Sequence, residues 1–208
     1  AVLNYLLLLG WAPEGEQEIF SLDEMIKIWD PARISKSPAI FDPLKLRAIN
    51  AAYIRALPAE EFRKLADPFI DQAVHVQIDR DLLCANLQPR CEVLEDIPPQ
   101  LDFFDAVLPI DAEMYRNKKQ KTTPESAREA LSALLPVLEA QTDWSRDAIF
   151  EACKTLAEQM EKKNGWLLFP LGIALSGKAR TPGGGTDLAA MMGKEETLRR
   201  LNAAIEAL

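Results

Sequence analysis

The chain has very little histidine and cysteine, and this scarcity argues against several kinds of metal and redox site. One of its 208 residues is histidine and three are cysteine. His75 has no second histidine with which to share a metal, so we expect it to lie on a helix face without a role. Cys84, Cys91 and Cys153 form no C-x-x-C pair. Reduced thiols are therefore expected, rather than a zinc site or a disulfide framework.

The sequence also lacks long apolar runs and the period-2 alternation of half-buried strands. No run approaches the ~18 apolar residues that a membrane span needs. The apolar start is short, is broken by Asn4 and Tyr5, and has no basic leader. It is more typical of a helix from within a longer chain than of a signal peptide. These absences favour an all-α protein.

Helix-start signals recur along the chain. Ser21 with Glu24 has the capping-box pattern, and Asp42 precedes a proline at the first helical position. Thr123 and Ser145 are predicted to begin two longer helices, and the last helix is predicted from about Lys194. By the same logic, Pro58 and Asp67–Pro68 are predicted to begin further helices.

Charge restricts any nucleic-acid contact to a local patch. The net charge is −8, from 24 basic and 32 acidic residues, which argues against a non-specific nucleic-acid coat protein. Two places could form such a patch. The basic string Arg116–Lys121 fits a solvated linker and a phosphate-facing surface equally well. The glycine- and proline-rich stretch 177–188 exposes backbone between basic side chains, but no Gly-Lys-Ser/Thr follows it, so it is not a P-loop.

A succession of strings along the whole chain resembles the C-terminal part of bacterial glutamyl-tRNA synthetases. The matching strings are Val2–Tyr5, Leu9–Trp11, Arg33–Leu46, Leu87–Leu94, Lys118–Pro124, Gly177–Leu188 and Gly193–Arg200. Arg33–Ser37 also looks like the ATP-loop signature K-M-S-K-S. That interpretation is rejected because Arg33 replaces the first lysine and no partner signature H-I-G-H occurs.

The resemblance implies an all-α architecture without a catalytic domain. It implies a helical stem-contact segment over residues 1–57, followed by two helical anticodon-binding domains over 58–117 and 118–208. The parent enzyme of such a chain joins glutamate to tRNA with ATP and Mg²⁺. The chain itself is expected to hold no catalytic residue, cofactor or metal, and to be inactive alone.

The resemblance also implies a set of tRNA-contacting residues. Arg90 is the candidate reader of the first anticodon base. The other anticodon-binding candidates are Lys178, Arg180, Thr181, Pro182, Gly184 and Gly185. Weaker candidates for stem or phosphate contact are Lys36, Arg55, Lys118, Lys119 and Lys121. Gly172 stands where the family often has an anticodon-contacting arginine, so either Arg180 or Lys178 compensates or base discrimination is altered.

The expected partner is glutamate tRNA, with glutamine tRNA left open. No DNA or membrane partner is expected, and the protein is predicted to be a cytoplasmic monomer. The alternative is a helical protein–protein adaptor, which would present an exposed apolar groove and have no affinity for tRNA. A synthetase fragment would instead carry a basic stripe along one face.

Overall fold

A computed structural model describes residues 1–35 and 38–208. In that part of the chain, ten α-helices follow one another without a β-sheet, which confirms the all-α prediction. The helices are α1 Val2–Gly10, α2 Leu22–Ile28, α3 Pro43–Ala56, α4 Ala59–Ile70, α5 Arg80–Leu87, α6 Pro124–Ala140, α7 Arg146–Gln159, α8 Asn164–Ser176, α9 Gly185–Met192 and α10 Lys194–Ala207. Short 3₁₀ helices cover Pro31–Arg33, Gln88–Arg90, Leu94–Asp96, Pro98–Gln100 and Ala112–Tyr115.

Side-chain caps begin several of these helices where the sequence predicts them. The Ser21 hydroxyl accepts from the Glu24 backbone N–H, and the Glu24 carboxylate accepts from the Ser21 N–H. Asp42, Thr123 and Ser145 cap α3, α6 and α7 in the same manner, because each side-chain oxygen satisfies a backbone N–H that the helix leaves unpaired.

Two local predictions are wrong. Asp67–Pro68 does not begin a helix, because Pro68 lies inside α4, which ends two residues later. His75 does not lie on a helix face. It lies in the segment after α4, where its backbone N–H donates to the Asp105 carboxylate at 2.7 Å and its ring lies 2.5 Å from the other carboxylate oxygen. This contact holds the pKa of Asp105 below its usual value.

Helix α8 lies at the centre of the C-terminal bundle. It is apolar on nearly all sides, with Trp166, Leu167, Leu171, Ile173 and Leu175 buried. A helix that is hydrophobic all round has to be covered on every face. Helices α6, α7, α9 and α10 pack around it. The chain that follows α8 is therefore anchored on a rigid element.

A polar network organises the N-terminal segment. Asn4 is fully buried. Its amide nitrogen donates to the Glu18 carbonyl at 2.7 Å, and its oxygen accepts from the Phe20 N–H at 2.8 Å and the Tyr53 hydroxyl at 3.0 Å. The Tyr5 hydroxyl accepts from the Asp42 N–H at 2.6 Å. The matching string Val2–Tyr5 thus fixes α1 against the start of α3.

One apolar core extends from Ile54 to Ala204 and takes in residues on both sides of position 117. By contrast, the majority of the large apolar side chains that are exposed to solvent lie before Lys45 in the chain. Ile40 and Leu44 are the most exposed of them. The predicted domain boundaries at 57/58 and 117/118 stay a prediction.

Among the helices of the described residues, none combines the length and the apolar character that a membrane span requires.

Candidate functional site

A cavity of about 420 Å³ lies where α8 and α9 meet the loop that joins them. This volume falls in the range of ~300–1,000 Å³ that small-ligand sites occupy. The 3₁₀ turn ending at Arg90 and the basic turn containing Gln120 complete its walls. Five of the chain's nine glycines line it, so much of its surface is bare backbone that can donate and accept hydrogen bonds.

Two of these glycines allow α8 and α9 to approach closely. A Cβ built on Gly185 would lie 2.8 Å from the Leu168 carbonyl oxygen and 2.9 Å from the Gly172 nitrogen. The opposite position is more tolerant, because a Cβ on Gly172 would meet Gly185 atoms only at 3.8 and 3.9 Å. Gly185 is thus required by packing, whereas Gly172 leaves room at the cavity wall.

Local hydrogen bonds hold the far end of the loop. The Thr181 hydroxyl donates to the Gly183 carbonyl at 2.8 Å. The Gly184 N–H donates to the Asp187 carboxylate at 2.7 Å. Arg146 pairs with the other Asp187 oxygen at 3.1 Å. Gly183 has φ +97°, a conformation that other residues rarely adopt. These contacts restrict the backbone of the loop between Thr181 and Asp187.

The charged residues that line the cavity are cationic: Arg90, Lys178 and Arg180. The guanidinium groups of Arg90 and Arg180 have no ion-pair or hydrogen-bond partner among the described residues, and both residues are exposed. Lys178 differs, because its ammonium group donates to the Pro99 carbonyl at 2.8 Å and pairs with Asp102. Two free guanidinium groups thus face a cavity in an otherwise acidic protein.

The basic turn 117–122 lies beside this cavity. Asn117 and Thr122 pair across it, and the Asn117 side chain accepts from the Lys119 and Gln120 N–H groups at 3.0 and 3.1 Å. Gln120 lies against the bare backbone of Gly165. Lys121 has φ +57°, which is unfavourable for a residue with a side chain. A tight turn therefore presents a run of lysines next to the cavity.

The structure brings together most of the residues singled out in the sequence. Six of the seven anticodon candidates line the cavity: Arg90, Lys178, Arg180, Thr181, Gly184 and Gly185. Pro182 is buried instead. Lys118, Lys119 and Lys121 are exposed on the adjoining turn, and Arg55 is exposed on α3. Lys36 lies outside the described residues.

Arg55 and Arg90 lie on neighbouring elements. The Gln88 side chain donates to the carbonyls of Ile54 and Leu57 at 3.0 and 2.8 Å, which ties the Arg90 turn to the end of α3. Arg55 thus lies on a helix whose end is hydrogen-bonded to the turn that carries Arg90.

Sequence reasoning missed two residues that matter here. Gln120 lines the cavity, and its position inside the basic string is the signal that could have found it. Arg200 is fully buried and donates to three backbone carbonyls. The signal for Arg200 is its place on the apolar face of α10, with Thr197, Leu201 and Ala204.

This arrangement suits a planar, anionic ligand. Exposed N–H and C=O groups can pair with the edges of a base, and guanidinium groups can pair with or stack on bases and phosphates. Within the described residues, no group of three or more His, Cys, Asp or Glu side chains could hold a metal ion. The groups that line the cavity are hydrogen-bond donors, acceptors and cations, which are suited to recognising and orienting a ligand.

Comparisons with known proteins show which families and structures this chain resembles. The family described as "Anticodon binding domain" matches residues 50–205. A glutamate–tRNA ligase of Clostridium botulinum is 44% identical over 208 residues, covering all of this chain and 43% of that protein. The corresponding ligase of Clostridium kluyveri is 41% identical with the same coverage.

Solved structures give the same result. The crystal structure of a glutamate tRNA ligase from Elizabethkingia meningosepticum, in complex with its amino acid, matches with a TM-score of 0.85 and 28% identity over all of this chain and 41% of that one. The glutamate–tRNA synthetase of Elizabethkingia anophelis matches with a TM-score of 0.81 and 27% identity. The chain thus spans 43% of the length of the curated relatives it matches.

Proposed function

Because the chain belongs to the anticodon-binding-domain family, we propose that it binds the anticodon loop of tRNA as part of a glutamate–tRNA ligase. The observation that carries this proposal is the cavity between α8 and α9, with glycine backbone in its walls and two unpaired guanidinium groups, Arg90 and Arg180, at its edge. This chain covers 43% of the length of the glutamate–tRNA ligases that it matches.

The cavity would read bases that are splayed out of the loop. Sequence-specific RNA recognition targets such unstacked bases, which expose their Watson–Crick edges to backbone and side-chain groups. Arg90 would pair with the first anticodon base, and a bidentate arginine contact is worth about 1–3 kcal/mol of discrimination. The backbone of the loop from Thr181 to Gly185 would meet the bases that follow.

The lysine turn and Arg55 would follow the phosphates on either side of the cavity. Arg55, Lys118, Lys119, Lys121 and Arg180 are exposed and unpaired within the described part of the chain. If all five contact phosphates of a single-stranded loop, the log–log salt slope is about −3 to −4, from ~0.7 per contact. Because the chain has a net charge of −8, its remaining surface is not expected to attract RNA or to make the salt slope steeper.

The ligase reaction belongs to the longer protein in this proposal. There, ATP and Mg²⁺ serve the joining of glutamate to glutamate tRNA, and this chain supplies recognition without catalysis. Whether glutamine tRNA is also accepted depends on the third anticodon base, at which the two tRNAs differ and which the loop from Thr181 to Gly185 would meet. We further propose that the protein is a monomer and acts in the cytoplasm.

A titration of the purified chain with a fluorescently labelled glutamate tRNA transcript tests the proposal. We expect binding at low salt, with a linear log–log salt dependence of slope about −2 to −5. Arg90→Gln should weaken binding and lessen the preference for the cognate first anticodon base. Lys64→Gln is the matched control, because Lys64 is an exposed cation on α4 that pairs with Glu60 and does not line the cavity.

Two outcomes would contradict the proposal. One is the absence of tRNA binding even at low salt, which the adaptor alternative requires. The other is an equal effect of Arg90→Gln and Lys64→Gln, which would show that only total charge matters. Neither the family membership nor the glycine-lined cavity favours the adaptor.

A further inference from the structure

The ammonium group of Lys178 is directed at the protein and not at the space in front of the cavity. It donates to the Pro99 carbonyl at 2.8 Å, pairs with Asp102, and lies 5.9 Å from the centre of the Phe103 ring. Only 22% of the side chain is exposed. Lys178 lines the cavity, yet its charge is already compensated.

The backbone that leads from α8 into Lys178 is fixed as well. The Ser176 hydroxyl accepts from the Lys178 N–H at 3.0 Å and donates to the Gly172 carbonyl at 2.7 Å. Gly177 ends α8 with φ +69°, and a Cβ there would lie 2.6 Å from the Leu108 carbonyl oxygen. The loop therefore leaves α8 in one direction only.

The segment that receives the Lys178 ammonium is itself held by Arg200. This fully buried guanidinium donates to the Phe103 and Phe104 carbonyls at 2.7 Å each, and to the Leu175 carbonyl at 2.6 Å. Its Nε donates to Glu196 at 2.6 Å. One side chain thus fixes both the end of α8, where the loop begins, and the two residues after Asp102.

From these contacts we propose that Lys178, Asp102 and Arg200 position the loop 177–184 for RNA, and that Lys178 makes no phosphate contact. The proposal rests on the proposed function, because it concerns how the same cavity is shaped. In this proposal, Asp102 supports the binding of a polyanion indirectly, because its ion pair with Lys178 holds the loop in place.

The two possible roles of Lys178 predict opposite results for Asp102→Asn. If Lys178 contacts phosphate, removing the competing carboxylate frees its charge and removes a negative charge from the site, so tRNA should bind more tightly. If Lys178 positions the loop, the same change releases the loop and tRNA should bind more weakly. The sign of the effect separates the roles.

The experiment compares Asp102→Asn and Lys178→Met with the unmodified chain in tRNA titrations at several salt concentrations. We expect each variant to bind about three- to tenfold more weakly, the range for loss of one ordinary hydrogen bond, because the pair is partly exposed to solvent. The salt slope should stay unchanged, because no phosphate contact is lost. The double variant should bind no more weakly than either single one, because the pair acts as a unit.

Arg180→Gln is the matched control for the salt slope. Its guanidinium is free and is assigned a phosphate contact above, so its loss should make the slope shallower. Tighter binding by Asp102→Asn, or a slope reduced by about 0.7–0.9 in Lys178→Met, would overturn the positioning role. Absence of tRNA binding by the unmodified chain would instead refute the proposed function itself.

Arg200→Lys tests the support below the loop. It keeps the charge but lacks the planar fork that reaches three carbonyls. We expect weaker tRNA binding with an unchanged salt slope in a chain that circular dichroism shows to be folded. Unchanged affinity in that folded variant would remove Arg200 from the proposal. If the variant does not fold, Asp102→Asn and Lys178→Met still decide it.

Discussion

The same substitution at two adjacent glycines should have opposite consequences for stability. A Cβ at Gly185 meets Leu168 and Gly172 backbone atoms at 2.8 and 2.9 Å and the Leu171 Cγ at 3.0 Å. A Cβ at Gly184 meets the Asp187 carboxylate at 3.5 Å, which is ordinary contact. Gly185→Ser should therefore strain the protein, whereas Gly184→Ser should not.

The magnitude follows from what has to move. Backbone atoms of α8 cannot rotate away as a side chain can, so α9 has to shift by several tenths of an ångström. Overpacking of this kind costs about 1–3 kcal/mol. For a chain of this size each kcal/mol lowers the melting temperature by about 2–4 °C. We expect Gly185→Ser to melt about 2–12 °C lower than the unmodified chain.

Gly184→Ser is the control. Gly184 is the N-cap of α9 with φ −92°, and serine is a preferred N-cap residue. Its melting temperature should match or slightly exceed that of the unmodified chain. Both variants can be measured by calorimetry or by helical circular dichroism. Equal melting temperatures for the two variants, or a lower one for Gly184→Ser, would refute the close-approach argument.

Three further predictions concern charge and strain. Gly172→Arg should keep the fold and tighten tRNA binding with a steeper salt slope, whereas Gly172→Gln should leave the slope unchanged; identical slopes would argue against an added phosphate contact. Lys121→Gly should raise the melting temperature by about 2–4 °C through relief of the positive φ, while weakening tRNA binding about as much as Lys119→Gln; a lower melting temperature would contradict the strain argument. Hydrogen bonds from Arg199 and its neighbour lower the pKa of Glu196 to about 2, so Glu196 contributes stability that is complete above about pH 4.5 and lost as the pH falls toward 2. Glu196→Gln should be less stable than the unmodified chain at pH 6 in urea titrations, and this difference should disappear near pH 2.

Local chemistry explains which parts of the fold could be predicted. The caps at Ser21, Asp42, Thr123 and Ser145 each satisfy backbone groups within three residues, so the sequence contains all the partners. Pro68 shows where this logic stops. Its dipeptide has the pattern of a helix start, but α4 passes through it and ends two residues later.

The charge state of the site depends on contacts between residues that are far apart in the chain, which the sequence does not reveal. The resemblance indicated six residues that line one cavity, but it did not distinguish Arg180 from Lys178 as a free charge. That difference depends on Asp102, which is 76 positions from Lys178 in the chain. Likewise Arg199 and Arg200 are adjacent and chemically identical, yet 60% of one side chain is exposed and none of the other. Only the packing of α10 on α8 and the 101–104 segment decides which arginine is structural.

In an acidic protein that binds RNA, the unpaired cations have to be concentrated where the RNA binds, because the rest of the surface repels phosphates. Many of its basic side chains are neutralised, as Arg63, Arg80 and Arg47 are by two carboxylates each. In the described part of the chain, some of the unpaired cations lie at the cavity, as Arg90 and Arg180 do, and others lie on other elements, as Lys27 does on α2. In the proposed function, the acidic surface would repel a polyanion and the free guanidinium groups at the cavity would attract it. The balance of charge thus favours a correctly oriented encounter over non-specific binding.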